Sequence, residues 1–273
     1  MSGLKQSSQA GCGGGAAGES PVARWPSGGL PLDAQRIRAS YERVRPALAK
    51  DRLFVENAAE FDVDVAELDL RMACPPAHLD TRTLWDWLDG ADQYRWAGLR
   101  VLADAYAAPG SLRLTGRVTV PEGSLRVATG DVVVEGDLVL EEQAMVLVLG
   151  KLTVTGALVG SVWDYSMAAA TEVSCRDGVT SGEILALDAI RCTGALYLSG
   201  NDYSCRAPLF DGGVLVDFER SNAFGRVDAD ERITEGDLTA AARALGLSAD
   251  DELDQAYTDR LLAAGPSTAP GSG

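Results

Sequence analysis

Asp164, Glu183 and Asp202 stand 19 residues apart. A fold that repeats with that period would bring the three carboxylates together, where they could hold calcium or engage a sugar. Trp163 and Tyr165 flank the first acid, and Tyr203 follows the third. Arg176, Arg191 and Arg206 lie in the same stretch and could balance the acids or clamp a ligand carboxylate. The ligand or partner surface weighed here is therefore Trp163, Asp164, Tyr165, Arg176, Glu183, Asp202 and Tyr203. Asp and Ser at a recurring corner also cap turns through side-chain hydrogen bonds, and Ser166 and Ser204 accompany the acids. Corner capping is the preferred reading.

Other chemistries find little support. His78 is the only histidine, which excludes multi-histidine metal centres. A Ser–His–Asp triad would have to use it, and no GxSxG elbow is present. Gly150-Lys151 is followed by Leu152, so there is no P-loop. Residues 228–239 fail as a calcium loop, because Arg232 and Ile233 occupy a ligand position and the glycine position. Cys74 and His78 lack two further zinc ligands. No catalytic residue and no resident metal or cofactor is assigned; calcium enters only with the carboxylate column.

The five cysteines are odd in number and form no CxxC, which points to reduced thiols and a cytoplasmic setting. The first 20 residues have no apolar core of an export signal, and no apolar run reaches the ~18 residues of a membrane span. Net charge is −16. Such a chain repels phosphate backbones, so the partner expected is a protein, basic in character, or another copy, and neither nucleic acid nor membrane.

The elements that would position these residues are legible in part. Residues 1–30 are Gly/Ser-rich and expected to be disordered, as are 266–273. Residues 31–109 are expected to form a helical segment that caps one end of the repeat. In it, Ile37, Tyr41, Val44 and Leu48 give a helix over 33–49 with Asp33 as N-cap and Pro46 bending its end. Alternation of Phe61, Val63 and Val65, then Leu68, Leu70 and Met72, predicts a strand over 61–72. Residues 80–107 read as two helices divided at Gly90, with Asp80 as cap. Their aromatics, Trp85, Trp87, Tyr94 and Trp96, form either an exposed docking patch or, preferred, an apolar cover for one end of the repeat. Residues 228–265 are expected to hold two helices, with Thr234/Asp237 and Ser248/Asp251 as capping boxes.

Residues 110–220 repeat against themselves. VATGDVVVEGDLV (127–139) aligns with LVLGKLTVTGALV (147–159) at an offset of 20. TGALVGSVWDYSM (155–167) aligns with TGALYLSGNDYSC (193–205) at an offset of 38, with eight of 13 positions identical. A period of 19–20 built from short Val/Leu strands and glycines signals a β-solenoid. One coil has too little side-chain volume to bury its own core, so coils must stack. The fold expected is mainly β: a parallel β-helix of about five coils, at ~4.8 Å per coil, with helices at both ends. Val134, Val154, Val173 and Cys192 should make one inward ladder, with Cys192 a buried small hydrophobe.

The segments LRVATGDVVVEGDLVL (125–140) and MVLVLGKLTVTGALVG (145–160) resemble bacterial β-helix proteins of the bactofilin, or polymer-forming cytoskeletal, type. The resemblance covers the central repeat only. It implies a non-enzymatic scaffold able to associate end to end. The helical segments on both sides depart from that pattern, and as end caps they would block stacking. The function expected is a structural or protein-interaction module presenting an acidic solenoid surface. An immunity-type protein neutralising a basic toxin is one form of it. The alternative is an acidic-polysaccharide-binding or lyase-type β-helix using the carboxylate column and calcium.

Overall fold

The structure, a computed structural model, describes residues 25–26, 28–55, 65–88, 92–199, 204–218, 222–234 and 236–264. Asp202, Tyr203, Gly90, the expected tails over 1–24 and 266–273, and the first part of the strand expected at 61–72 lie outside these residues.

The repeat is a right prism of parallel strands with three flanks and about six turns, one more than the repeat predicts. The first flank stacks β3 (Ser111–Thr115), β6 (Asp131–Glu135), β9 (Lys151–Val154) and the second half of β11 (Met167–Cys175). The second stacks β4 (Val118–Val120), β7 (Leu138–Leu140), β10 (Ala157–Val159) and β12 (Asp177–Thr180). The third stacks β5 (Leu125–Ala128), β8 (Met145–Val148) and the first half of β11. Above these, β13 (Glu183–Leu198), β14 (Arg206–Asp217) and β15 (Ala223–Thr234) each run round more than one flank. The solenoid therefore continues to Thr234, past the expected boundary at 220, and Thr234 ends a strand instead of opening a capping box.

The interior is made of ladders. Leu112, Val132, Leu152, Val173, Ile190, Phe210 and Val227 follow one another in register through seven rungs. Val134 pairs with Val154 as expected. The rest of that expected ladder is corrected by two residues: Val173 meets Ile190, and Cys192 meets Cys175. The rungs do not have one length. Leu152 to Val173 spans 21 residues and Val173 to Ile190 spans 17, with a bulge between Ala170 and Glu172. Because both corrections are even, every side chain still points inward.

Corners rest on close backbone approach. A Cβ on Gly136, whose φ is 148°, would lie 2.1 Å from the Gly116 carbonyl one turn below. The next residue, Asp137, is buried and accepts from the Ala157 amide of the next coil at 3.0 Å. Asp177 stacks on Ala157 and accepts in turn from Ala195 at 3.1 Å. Aspartates thus cap the coil above them at this corner, a column the sequence reading missed although Asp137 and Asp177 lie 40 residues, two coils, apart.

The flanking helices are α1 (Ala34–Leu48), α2 (Val65–Ala73), α3 (Thr81–Leu88), α4 (Asp92–Tyr106), α5 (Leu238–Ala244) and α6 (Leu253–Ala263). Asp33 accepts from the Arg36 amide at 2.7 Å as the N-cap of α1, and Asp80 accepts from the Thr83 amide at 2.8 Å. That hydrogen bond holds the Asp80 carboxyl below its usual range. The described part of the strand expected at 61–72 is instead helix α2, with Leu68 and Met72 buried at helical spacing and Leu70 exposed. Asp237 is itself the cap of α5, accepting from Ala240 at 2.9 Å. Ser248 and Asp251 close a turn before α6, whose cap position, Glu252, makes no side-chain bond.

The helices do not cap the prism. They line its sides. On the third flank the outward column Val127, Leu147, Ala169, Leu185 is apolar, as are Leu125, Met145 and Met167, and these pack under the N-terminal helices. Trp87, Tyr94 and Trp96 are buried there and Trp85 is half-buried, so the aromatics are cover and present no exposed patch, but they cover a flank and not the expected end. On the second flank the outward column Val139, Val159, Val179, Tyr197, Val216, Ile233 packs under α5 and α6. The first flank carries no helix in either cluster. Its outer surface is charged in alternation, with Arg113–Glu135 at 2.6 Å, Lys151–Glu172 at 3.6 Å, and Arg191 bonded to both Glu172 and Asp211.

The two ends of the prism differ. At the first coil Gly28 bridges in parallel to Arg126, and Trp25 is buried in the interior cluster with Leu114 and Val134. These residues fall inside the 1–30 stretch expected to be disordered. At the other end, β15 pairs only with β14 among the described residues. Phe224, Val227 and Ala229 cover the interior there and are only partly buried.

Candidate functional site

The expected carboxylate column is not built. Glu183 stacks on Met167, not on Asp164, because the rung between them is shorter than the 19 residues that the duplicated segment implies. It is also fully buried. Arg95 of α4 forks onto it with Nη2–Oε1 at 2.7 Å and Nε–Oε2 at 2.9 Å, and Tyr165 donates to Oε2 at 3.1 Å. Trp85 stacks 4.6 Å from the Tyr165 ring, and the Arg95 guanidinium lies over Trp85 at 5.4 Å. Glu183 and Tyr165 therefore fasten the N-terminal helices to the third flank and present nothing to solvent. Among the described residues no three His, Cys, Asp or Glu side chains converge on a point where a metal ion could sit.

The arginines separate as well. Arg206 is fully buried on the third flank and donates to the Leu53 carbonyl at 3.1 Å. Arg191 belongs to the charged first flank. Arg176 pairs with Asp177 at 2.7 Å and lines a cavity of about 620 Å³ with Thr193, Tyr257 and Arg260, between the first and second flanks and the C-terminal helices.

Trp163 and Asp164 remain outside, on the corner between the second and third flanks. The turn 161–166 is held by its own side chains. Ser161 Oγ accepts from the amides of Trp163 at 3.3 Å and Asp164 at 3.1 Å, Ser166 Oγ accepts from Ser161 at 3.0 Å, and Asp164 accepts from Tyr165 at 2.6 Å. This is corner capping of the preferred kind. It projects the Trp163 ring outward, 65% exposed. Beneath it lies an open groove of about 420 Å³. Val139, Val159, Val162 and Leu262 of α6 supply apolar wall, and Glu122, Glu141, Glu142 and Asp259 supply carboxylates. Glu122 and Glu141 are bound to each other only through a backbone amide, at 3.0 Å. Of the residues weighed as a surface, Trp163 and Asp164 keep that place, Arg176 faces the other cavity, and Tyr165 and Glu183 are internal. The acids at 122, 141 and 142 were missed. Their signal was the turn pair PEGS and EEQA, one coil apart, ahead of SVWDYS.

Compared with protein families, with curated proteins and with solved structures, the chain matches none. Among the described residues no helix is long and apolar enough to cross a membrane. The reading of the chain therefore rests on its own residues: a parallel solenoid with padded flanks, Trp25 in the interior at one end and, among the described residues, an unpaired strand at the other.

Proposed function

We propose that the protein is a non-enzymatic, cytoplasmic interaction module whose solenoid joins a second copy through its C-terminal end. The observation that carries this is the unpaired outer edge of β15 among the described residues, with Phe224, Val227 and Ala229 half-covered above the core. A sheet edge with free amides and carbonyls is a template for another strand. The bactofilin-like character of the repeat supports the same reading. Trp25 plugs the opposite end, so the association closes on itself instead of growing a filament. Two C-terminal ends can meet only about a two-fold axis, which makes the contact self-complementary and pairs the strands antiparallel. An axis through Val227 would set Arg226 of each copy opposite Asp228 of the other. Among the described residues of the single chain those two side chains pair only with each other, at 2.5 Å and in solvent.

Sedimentation velocity tests this directly. The wild-type chain should sediment as a dimer, and Val227→Asp, which puts an unpaired charge in the joint, as a monomer with unchanged circular dichroism. A wild-type chain that stays monomeric at its highest soluble concentration would remove the proposal.

A further inference from the structure

The groove beside Trp163 has no part in the end-on contact, and its composition names a different occupant. We infer that it docks an extended peptide segment bearing arginine next to an apolar residue, an inference that rests on the protein being an interaction module. Charge decides the sign of the ligand. Several acids on the prism are matched, Glu135 by Arg113, Glu172 by Lys151 and Arg191, Asp217 by Arg232, and others such as Asp131 and Asp188 stand singly among the described residues. At this corner Glu122, Glu141, Glu142 and Asp259 line one groove with no Lys or Arg in its walls. None of the four has an ion-pair partner among the described residues.

Shape and spacing choose the kind of cation. The carboxylates are spread over two successive coils and α6, with Trp163 on the third coil, and do not converge, so they suit a delocalised charge on a flexible chain better than a bare metal ion. The exposed face of Trp163 is a platform for a guanidinium, which stacks on an indole while its edges reach carboxylates. The apolar wall of Val139, Val159, Val162 and Leu262 takes the neighbouring side chain. From the Glu122 coil to the Ser161 coil is two steps of ~4.8 Å, the reach of about three extended residues. An open trough of that length holds a short stretch of peptide and leaves its two ends free.

The probe is an acetylated, amidated octapeptide of alternating Arg and Val, labelled for anisotropy. At low salt it should bind saturably and change the tryptophan emission, since Trp25, Trp87 and Trp96 are buried, Trp85 is half-buried and Trp163 is exposed. Trp163→Ala, and separately Glu122→Gln with Glu142→Gln, should each weaken binding at least tenfold. The same peptide with citrulline for arginine should not bind. Glu135→Gln with Asp211→Asn removes two charges from the first flank and should leave affinity within twofold. Absence of saturable binding, equal binding of the citrulline peptide, or equal losses in the groove and first-flank variants would overturn the proposal, the last by revealing diffuse attraction to an acidic protein. Sedimentation of the same samples separates the two ideas. A dimer that ignores the peptide defeats the groove alone, and a monomer that binds it defeats only the end-on contact.

Discussion

Arg95 and Glu183 show what a buried charge pair does in this molecule. Both side chains are out of water, 8% and 0% exposed, and they fork onto each other across the joint between α4 and the third flank. Losing one partner deprives the other of its matching charge inside the protein, which costs about 3–5 kcal/mol, whereas replacing both with matched apolar groups is often neutral. Arg95→Met and Glu183→Met should therefore each lower the urea midpoint sharply. The double variant should recover most of the loss, since Glu183 already stacks on Met167. The cysteines make a second case. The Cys192 thiol beside it, together with burial, holds the Cys175 thiol well above its ordinary value. Cys192 and Cys205 are buried too, and Cys74 is exposed. Iodoacetamide on the native protein, read by peptide mass mapping, should label Cys74 and spare Cys175, Cys192 and Cys205. All three should react in urea.

At the scale of elements, the joint between α6 and the second flank is made by two tyrosines. Tyr197 donates to Asp254, and Tyr257 donates to the Ala195 carbonyl at 3.1 Å. Burial, joined at Tyr197 by the Asp254 carboxylate and at Tyr257 by the charge of Asp177, raises both phenol pKa values far above their ordinary level. In the unfolded chain they ionise near pH 10. Below that pH their contribution to stability is fully present. As pH rises past 10, the unfolded or detached state loses protons that the docked state keeps, and stability falls. An alkaline titration should release the C-terminal helices before the solenoid melts, seen as a cooperative rise in phenolate absorbance. Tyr197→Phe should weaken that rise and move it to higher pH. The α2 helix belongs to this scale as well. Val65, Leu68 and Met72 are spaced for a helix as much as Leu68, Leu70 and Met72 are for a strand. Burial decided between them, covering Leu68 and Met72 and leaving Leu70 out.

For the whole molecule, the decisive feature is which surfaces of the prism are covered. Runs such as AMVLVL at 144–149 are buried on every residue. A strand apolar on both faces must be packed on both, so those runs already implied a cover along the flank. The charged first flank needs none. Its exposed ion pairs are worth roughly 0–1 kcal/mol each and serve solubility more than stability. Helices placed along the sides leave the C-terminal end uncovered among the described residues, and the proposed end-on contact and corner groove both rest on that one placement.

The repeat, its parallel stacking and its inward Val, Leu and Ile were determined by the sequence alone, because a coil of some twenty residues cannot bury its own core and recurring glycines fix where it turns. Asp33 as a cap was equally local, and so was the covering role of the aromatics, though not the flank they cover. The tertiary structure decided the register of the upper coils and the side on which each helix lies. Rung length there changes by several residues through bulges and corner loops, and each slip is set by packing against the coil beneath, far away in sequence. That is why Asp164 and Glu183, nineteen residues apart, ended on different surfaces, one in water and the other locked to Arg95.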